Sequence, residues 1–296
     1  QAKEPQFLII THQPESSGYS YIQDTNASMP YWQQAQTKIH SSTNTQSWSF
    51  LNADLQLEVN YPVEVSIYPE QLIYSSSKFT ALGRSSYTSQ STAKAVIQSN
   101  DGLNWDLVTP VLKTTYDNGS YGTVTEYIPT DLFAHGNGKY VALGRSYGGS
   151  QIKLDPETGY SSWIQTYSSR AFITDNLSKD NVTWEVTDNT SMIFSWVNDN
   201  GTSFDNISFY PEELLYGSGK FTALGRSSYT SEYQAKAVIQ SNDGLNWSLV
   251  TPVLKTLGDN GSGQITTFYI PTDLFAYGNG KFVGLGRSYS GSQYRY

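Results

Sequence analysis

The chain has 296 residues, and 18 Lys plus Arg against 26 Asp plus Glu give it a formal charge of −8. That excess of anions excludes counterion-driven capture of DNA, RNA or an anionic membrane surface, and the absence of cysteine removes disulfides, thiolate metal sites and cysteine nucleophiles. No apolar run approaches the roughly 18 residues of a membrane-crossing helix, while 23 tyrosines and only 15% charged residues fit an extracellular all-β protein.

Taken in chain order, the predicted elements are strands, and they recur. Residue 1 is Gln rather than Met, which predicts a processed chain or a piece of a longer precursor. Residues 6–10 (QFLII) stand where later units carry KYVAL; Trp32 follows a tyrosine-rich insertion, and residues 42–48 stand where later units carry SNDGLNW. Residues 68–114 and 210–256 then differ at only 8 of 47 positions, and residues 127–151 and 269–293 at 4 of 25, both at an offset of 142. The units are approximately 1–67, 68–130, 131–209, 210–272 and a partial 273–296, with no linker between them. One domain, 1–296, is expected.

Each unit reads as four short strands. The first ends in a turn such as LFAYGNG or LLYGSG, where Asn-Gly and Gly-x-Gly supply the positive φ of a tight hairpin. The second is KFTALGRS or KFVGLGRS, and the third is AKAVIQSN. Asp101-Gly102 and Asp243-Gly244 turn the chain into the fourth, Asn-Trp-x-Leu-Val. Radial repetition of such meanders predicts an all-β fold, a β-propeller of four-stranded antiparallel blades. Four blades, closed by pairing of the N- and C-terminal segments, use nearly every strand; one LGR-type strand is left over, and five blades is the alternative.

These residues carry a resemblance. Tyr-Gly-Asn-Gly-Lys-Phe-Val followed by Ser-x-Asp-Gly-x-x-Trp is similar to the bacterial sialidase-like, Asp-box (BNR-type) β-propeller repeat of secreted and surface-attached proteins. The resemblance implies that Asp101 and Asp243 cap their hairpins while Trp105 and Trp247 pack between sheets. The chain departs from the pattern in having Asp and Gly adjacent, where an Asp box sets one residue between them.

A glycosidase needs two carboxyl groups across a bond, or a Tyr–Glu pair with arginines for an acidic sugar. The family's Arg-Ile-Pro segment is missing, and four of the six arginines occupy one repeat position. Near-identical blades are a poor way to build one asymmetric site, so the expectation is a non-catalytic, lectin-like or adhesive module. Arg84 with Tyr87, Arg145 with Tyr147, Arg226 with Tyr229 and Arg287 with Tyr289 would be its repeated contacts, an arginine fork beside an aromatic face. The bland alternative is a repeated packing need. Trp32 and Trp163, in the tyrosine-rich insertions read as loops, are further candidates for glycan or protein contact. The alternatives to this module are a self-assembling surface or filament subunit, joined through a terminal strand, and a sialidase-like glycoside hydrolase. Extracellular or cell-surface location follows from the composition and the resemblance.

Asp117-Asn118-Gly119, Asp259-Asn260-Gly261 and Asn198-Asp199-Asn200-Gly201 offer oxygens of the kind Ca²⁺ takes. None has the spaced register ending in Glu that a dedicated loop needs, so they read as turns and no cofactor is expected. His12, His40 and His135 are scattered. Asn-x-Ser/Thr sequons mark Asn26, Asn118, Asn176, Asn181, Asn189, Asn200, Asn206, Asn246 and Asn260 as glycosylation candidates.

Overall fold

A computed structural model of the chain describes residues 7–12, 21–22, 31–32, 37–42, 49–52, 56–59, 63–85, 94–117, 123–127, 130–154, 161–177, 184–186, 192–230, 235–259, 265–270, 272 and 274–285. Every regular element among them is an antiparallel strand; none is a helix. The chain is all-β, and its sheets have the blade form that a β-propeller requires. It divides into two compact units, 1–127 with 178–180 and 128–177 with 181–296, and each holds one copy of the long repeat.

In the first unit, Phe7–His12, Thr37–Ser42 and Ser49–Asn52 form a three-stranded sheet. The repeated segment forms five strands in the order Gln56–Val59, Val63–Ser75, Lys78–Ser85, Ala95–Ser99 and Asp106–Thr109. A meander of four strands is expected; the fifth arises because the first strand is 13 residues long and its leading half pairs with Gln56–Val59. The register shifts between Pro69 and Gln71, as it must where a proline has no N–H to give to the ladder.

The second unit contains the four-stranded sheet Thr130–Gly136, Lys139–Leu154, Ser161–Thr174 and Glu185–Val186. Next comes the second five-stranded sheet, Ile193–Val197, Ser203–Gly217, Lys220–Ser227, Ala237–Ser241 and Trp247–Thr251. A ribbon of Lys255–Asp259 with Ile265–Tyr269 and a hairpin of Leu274–Gly278 with Lys281–Leu285 follow. The insertion expected as a loop is strand: Trp163 lies in Ser161–Thr174, opposite Ile152. Trp32 pairs with Tyr21 in a two-residue ribbon. The backbone ladder satisfies the polar groups that these long aromatic stretches would otherwise expose.

The core of the second unit lies between its two large sheets. Val141, Leu143, Ala171 and Ile173 of one join Phe209, Phe221, Ala223, Ile239 and Trp247 of the other in one cluster. Strand Lys220–Ser227 is buried on both faces from Phe221 to Gly225, which is why KFTALG reads as a continuous apolar run rather than an alternation. The one polar side chain in that run, Thr222, accepts a hydrogen bond from Gln240 Nε2 at 3.1 Å, and Thr80 accepts the same bond from Gln98 in the first unit. There Ile67, Phe79, Ala81, Ile97, Trp105 and Leu107 repeat the packing.

Candidate functional site

Among the described residues, three constellations bring chemistry-bearing side chains together, and two of them are repeated. The first is the aspartate turn. Asp101 Oδ1 accepts from the backbone N–H groups of Leu103 and Asn104, each at 2.8 Å, and Oδ2 accepts from Asn104 Nδ2 at 2.8 Å. Ser99 Oγ donates to Oδ1 at 3.0 Å, and Trp105 Nε1 donates to the Gly102 carbonyl at 3.1 Å. Asp243 has the same partners in Leu245, Asn246 and Ser241, and Trp247 Nε1 donates to Gly244 at 2.8 Å. Gly102 and Gly244 hold φ of 76° and 81°, a region that costs a side chain dearly.

Hydrogen bonds from the Asn104 backbone and side chain, then from Leu103, hold the Asp101 carboxyl far below its ordinary range. At Asp243 burial pulls upward, and the bonds from Asn246 and Leu245 outweigh it, so that carboxyl is depressed as well. Both carboxylates are committed to their own hairpin, and Trp105 and Trp247 are buried beside them.

The second is an ion triad at the LGR arginine. Arg84 Nε donates to Glu70 Oε1 at 2.7 Å, and Lys94 Nζ donates to Glu70 Oε2. In the second unit Arg226 and Lys236 hold Glu212 at 2.7 and 2.5 Å, with the Arg226 guanidinium 4.8 Å from the centre of the Tyr210 ring. The register Tyr68↔Arg84 and Tyr210↔Arg226 sets each arginine opposite the tyrosine two residues before its glutamate. Arg145 and Tyr147 are in register with Ser169 and Tyr167. Tyr229 is 1% exposed, with its ring edge-on to Phe204 at 5.2 Å. Tyr87, Arg287 and Tyr289 lie outside the described residues, as do Asn26, Asn118, Asn181, Asn189 and Asn260. Of the other sequons, Asn176, Asn200 and Asn246 are exposed, and Asn206 stands exposed at a φ of 60°. His135 packs on the Tyr140 ring at 4.1 Å, and burial lowers its pKa. Among the described residues, no group of three or more His, Asp or Glu side chains is placed to hold a metal ion.

The third constellation is not repeated. A cleft of about 240 Å³ opens in the second unit, with Trp196, Asn198 and Asp199 on one wall, residues 251–255 on the other, and Tyr229 between them. The first wall is a hairpin fixed by its own polar groups. Asn198 Oδ1 accepts from the N–H of Asn200 at 3.1 Å and of Thr202 at 2.8 Å, and Gly201 turns at a φ of 77°. Trp196 is anchored along one side by the cluster of Ile207, Tyr229, Ala235 and Val253. Asp199 is left exposed at the tip.

The second wall belongs to the repeat, because TPVLK at 251–255 is TPVLK again at 109–113. The first wall does not. Ile193 pairs with Ser208, fifteen residues on, whereas Gln56 pairs with the equivalent Ser66 only ten residues on. The extra length lifts Trp196 and Asp199 beside the repeated segment. Sequence reasoning registered Asn198–Gly201 only as a turn and passed over Trp196. The available signal was the break in the repeat at this hairpin.

No protein-family model matches the chain, and no curated protein matches it. Solved structures do. One is an N-acetylgalactosamine deacetylase from F. plautii in complex with blood group B trisaccharide, at 13% identity and TM-score 0.35, covering 72% of this chain and 60% of that one. Another is a family 117 glycoside hydrolase from Zobellia galactanivorans, at 12% identity and TM-score 0.38, covering 74% and 56%. A third is an arabinanase from Bacillus subtilis, at 12% identity and TM-score 0.33, covering 81% and 74%. The chain spans less than two thirds of the length of the first two. Against the expectation of a non-catalytic lectin-like or adhesive module, each of these similar structures is described as an enzyme acting on carbohydrate. The geometry gives a physical reason: Arg84 and Arg226, two of the repeated forks on which the multivalent reading rested, are each engaged by a glutamate of their own sheet.

Proposed function

We propose that the chain acts on carbohydrate as a glycosidase-type enzyme, the sialidase-like reading among the alternatives, with the Trp196–Asp199 cleft as its substrate site. The observation that supports this most is the asymmetry of the cleft: an aromatic face, a carboxylate and an ammonium meet where one non-repeated hairpin rises beside a repeated wall. An indole presents an apolar face to the C–H side of a sugar ring, while Asp199 and Lys255 reach its hydroxyls. At about 240 Å³ the cleft is smaller than the roughly 300–1,000 Å³ of most small-molecule sites, which suits a single sugar ring. Asp199 is the one carboxylate among the residues that line the cleft and takes the acid or base role in this reading; the second carboxyl that glycoside hydrolysis uses across the scissile bond is not among them. An extracellular or cell-surface setting, where glycans are met, goes with this reading.

A panel of chromogenic pyranosides and furanosides tests it. Turnover of at least one is expected, with Trp196→Ala raising KM and Asp199→Asn lowering kcat by about 100-fold or more. No turnover of any member, together with no saturable binding of the corresponding free sugars, would remove the reading.

A further inference from the structure

Six described residues other than glycine hold a positive φ, and five of them sit in two-residue hairpin turns. Asn206 is the exception: at a φ of 60° it stands inside strand Ser203–Gly217. Left-handed backbone within a strand is unfavourable for any residue with a Cβ, and asparagine tolerates it better than most. Such an outlier persists where the surrounding structure over-determines it.

Phe194 pairs with Ile207 and Trp196 with Phe204, so one residue, Ser195, stands against two, Asp205 and Asn206. This is a β-bulge, and it shifts the phase of the strand. Counted from buried Ile207, a regular alternation would turn Asp205 toward the core and Phe204 away from it. With the extra residue, Asp205 and Asn206 are exposed, and Phe204 packs on the cluster of Ile207, Tyr229, Ala235 and Val253. There Phe204 is opposite Trp196 and its ring is edge-on to Tyr229, at 5.2 Å and 80°. Trp196 and Tyr229 are the aromatic lining of the cleft. In the first unit the matching ladder, Gln56–Val59 against residues 63–66, runs without a shift. The bulge therefore belongs to the same non-repeated hairpin as the cleft.

Resting on the reading of this cleft as the sugar site, we infer that Asn206 is a positioning residue for it. Its left-handed bulge places Phe204, and Phe204 fixes the Trp196 face against Tyr229. Asn206 is not among the residues that line the cleft; what the position contributes is a backbone conformation.

The test uses the full chain and compares Asn206→Gly, which adopts a positive φ freely, with Asn206→Val, whose β-branched side chain excludes it. Near-UV circular dichroism of each protein, minus that of the same protein carrying Trp196→Phe, isolates the Trp196 band among seven tryptophans. The band is expected to match the parent's in Asn206→Gly and to be lost in Asn206→Val. Asn206→Ala, a milder exclusion of the same φ, should weaken it and carries the test if Asn206→Val does not fold. On a glycoside that the parent cleaves, Asn206→Val should raise KM as far as Trp196→Ala does, with kcat within about twofold, whereas Asn206→Gly should follow the parent. A band that survives undiminished in Asn206→Val and Asn206→Ala, or is lost in Asn206→Gly, overturns the inference. So does the absence of a Trp196 band from the parent, or an unchanged KM in a folded Asn206→Val. If the band responds as expected while no sugar is bound or turned over, the positioning role stands and the glycosidase reading fails.

Discussion

The two five-stranded sheets are built from nearly the same residues and share their aspartate turns and ion triads, yet only one of them borders the cleft. Asp101 and Asp243 hold equivalent bonds to within about a tenth of an ångström. The glutamates of the triads are each gripped by one arginine and one lysine. What differs is the hairpin before the first strand, ten residues between paired positions in one unit and fifteen in the other. Repetition here serves architecture, because a repeated position is first a repeated packing need; the proposed chemistry lies where the copy is broken.

Equal roles for the copied residues imply equal losses. Phe79→Ala and Phe221→Ala empty matching core positions, and each should cost about 3–5 kcal/mol in denaturant unfolding. A large inequality would show that the copies are not energetically equivalent. The ion triads should separate the two sheets slightly. Glu70→Ala removes the carboxylate that pairs with Lys94, whose side chain is 6% exposed, and should cost about 3 kcal/mol. Glu212→Ala should cost less, because Lys236 is 15% exposed and keeps more of its hydration.

Smaller again is the loss at the turns, about 1 kcal/mol for Asp101→Asn or Asp243→Asn. These carboxyls carry a pH signature with a definite sign. Their folded pKa values lie below the unfolded one, so their contribution is complete above about pH 4 and is lost progressively as pH falls below it. The double Asn variant should therefore show a flatter loss of stability on acidification than the parent chain, followed by Tm between neutral and acid pH.

Much of the fold was legible in the sequence, for a physical reason. Asp-Gly and Asn-Gly turns demand positive φ, so they mark strand ends wherever they recur, and Gly102, Gly138, Gly244 and Gly280 have that φ. The fifth strands were not legible, because Gln56–Val59 and Ile193–Val197 lie in diverged segments without a repeated turn. Trp163 was read as loop because it lies in a polar, tyrosine-rich insertion; its strand is defined by pairing to Lys139–Leu154 instead. The triad could have been anticipated from Glu70 and Glu212 recurring at a fixed distance before Arg84 and Arg226. The cleft could not, since it joins residues 196–199 to 251–255 through closure of a whole sheet.

The contrast between copied and unique residues is tested most directly by measuring glycoside turnover and Tm together for Asp199→Asn and Asp243→Asn. The account predicts opposite signatures: Asp199→Asn loses turnover by about 100-fold or more at unchanged Tm, and Asp243→Asn loses stability while the folded protein keeps its turnover. Undiminished turnover in Asp199→Asn, on a substrate that the parent chain cleaves, would contradict it.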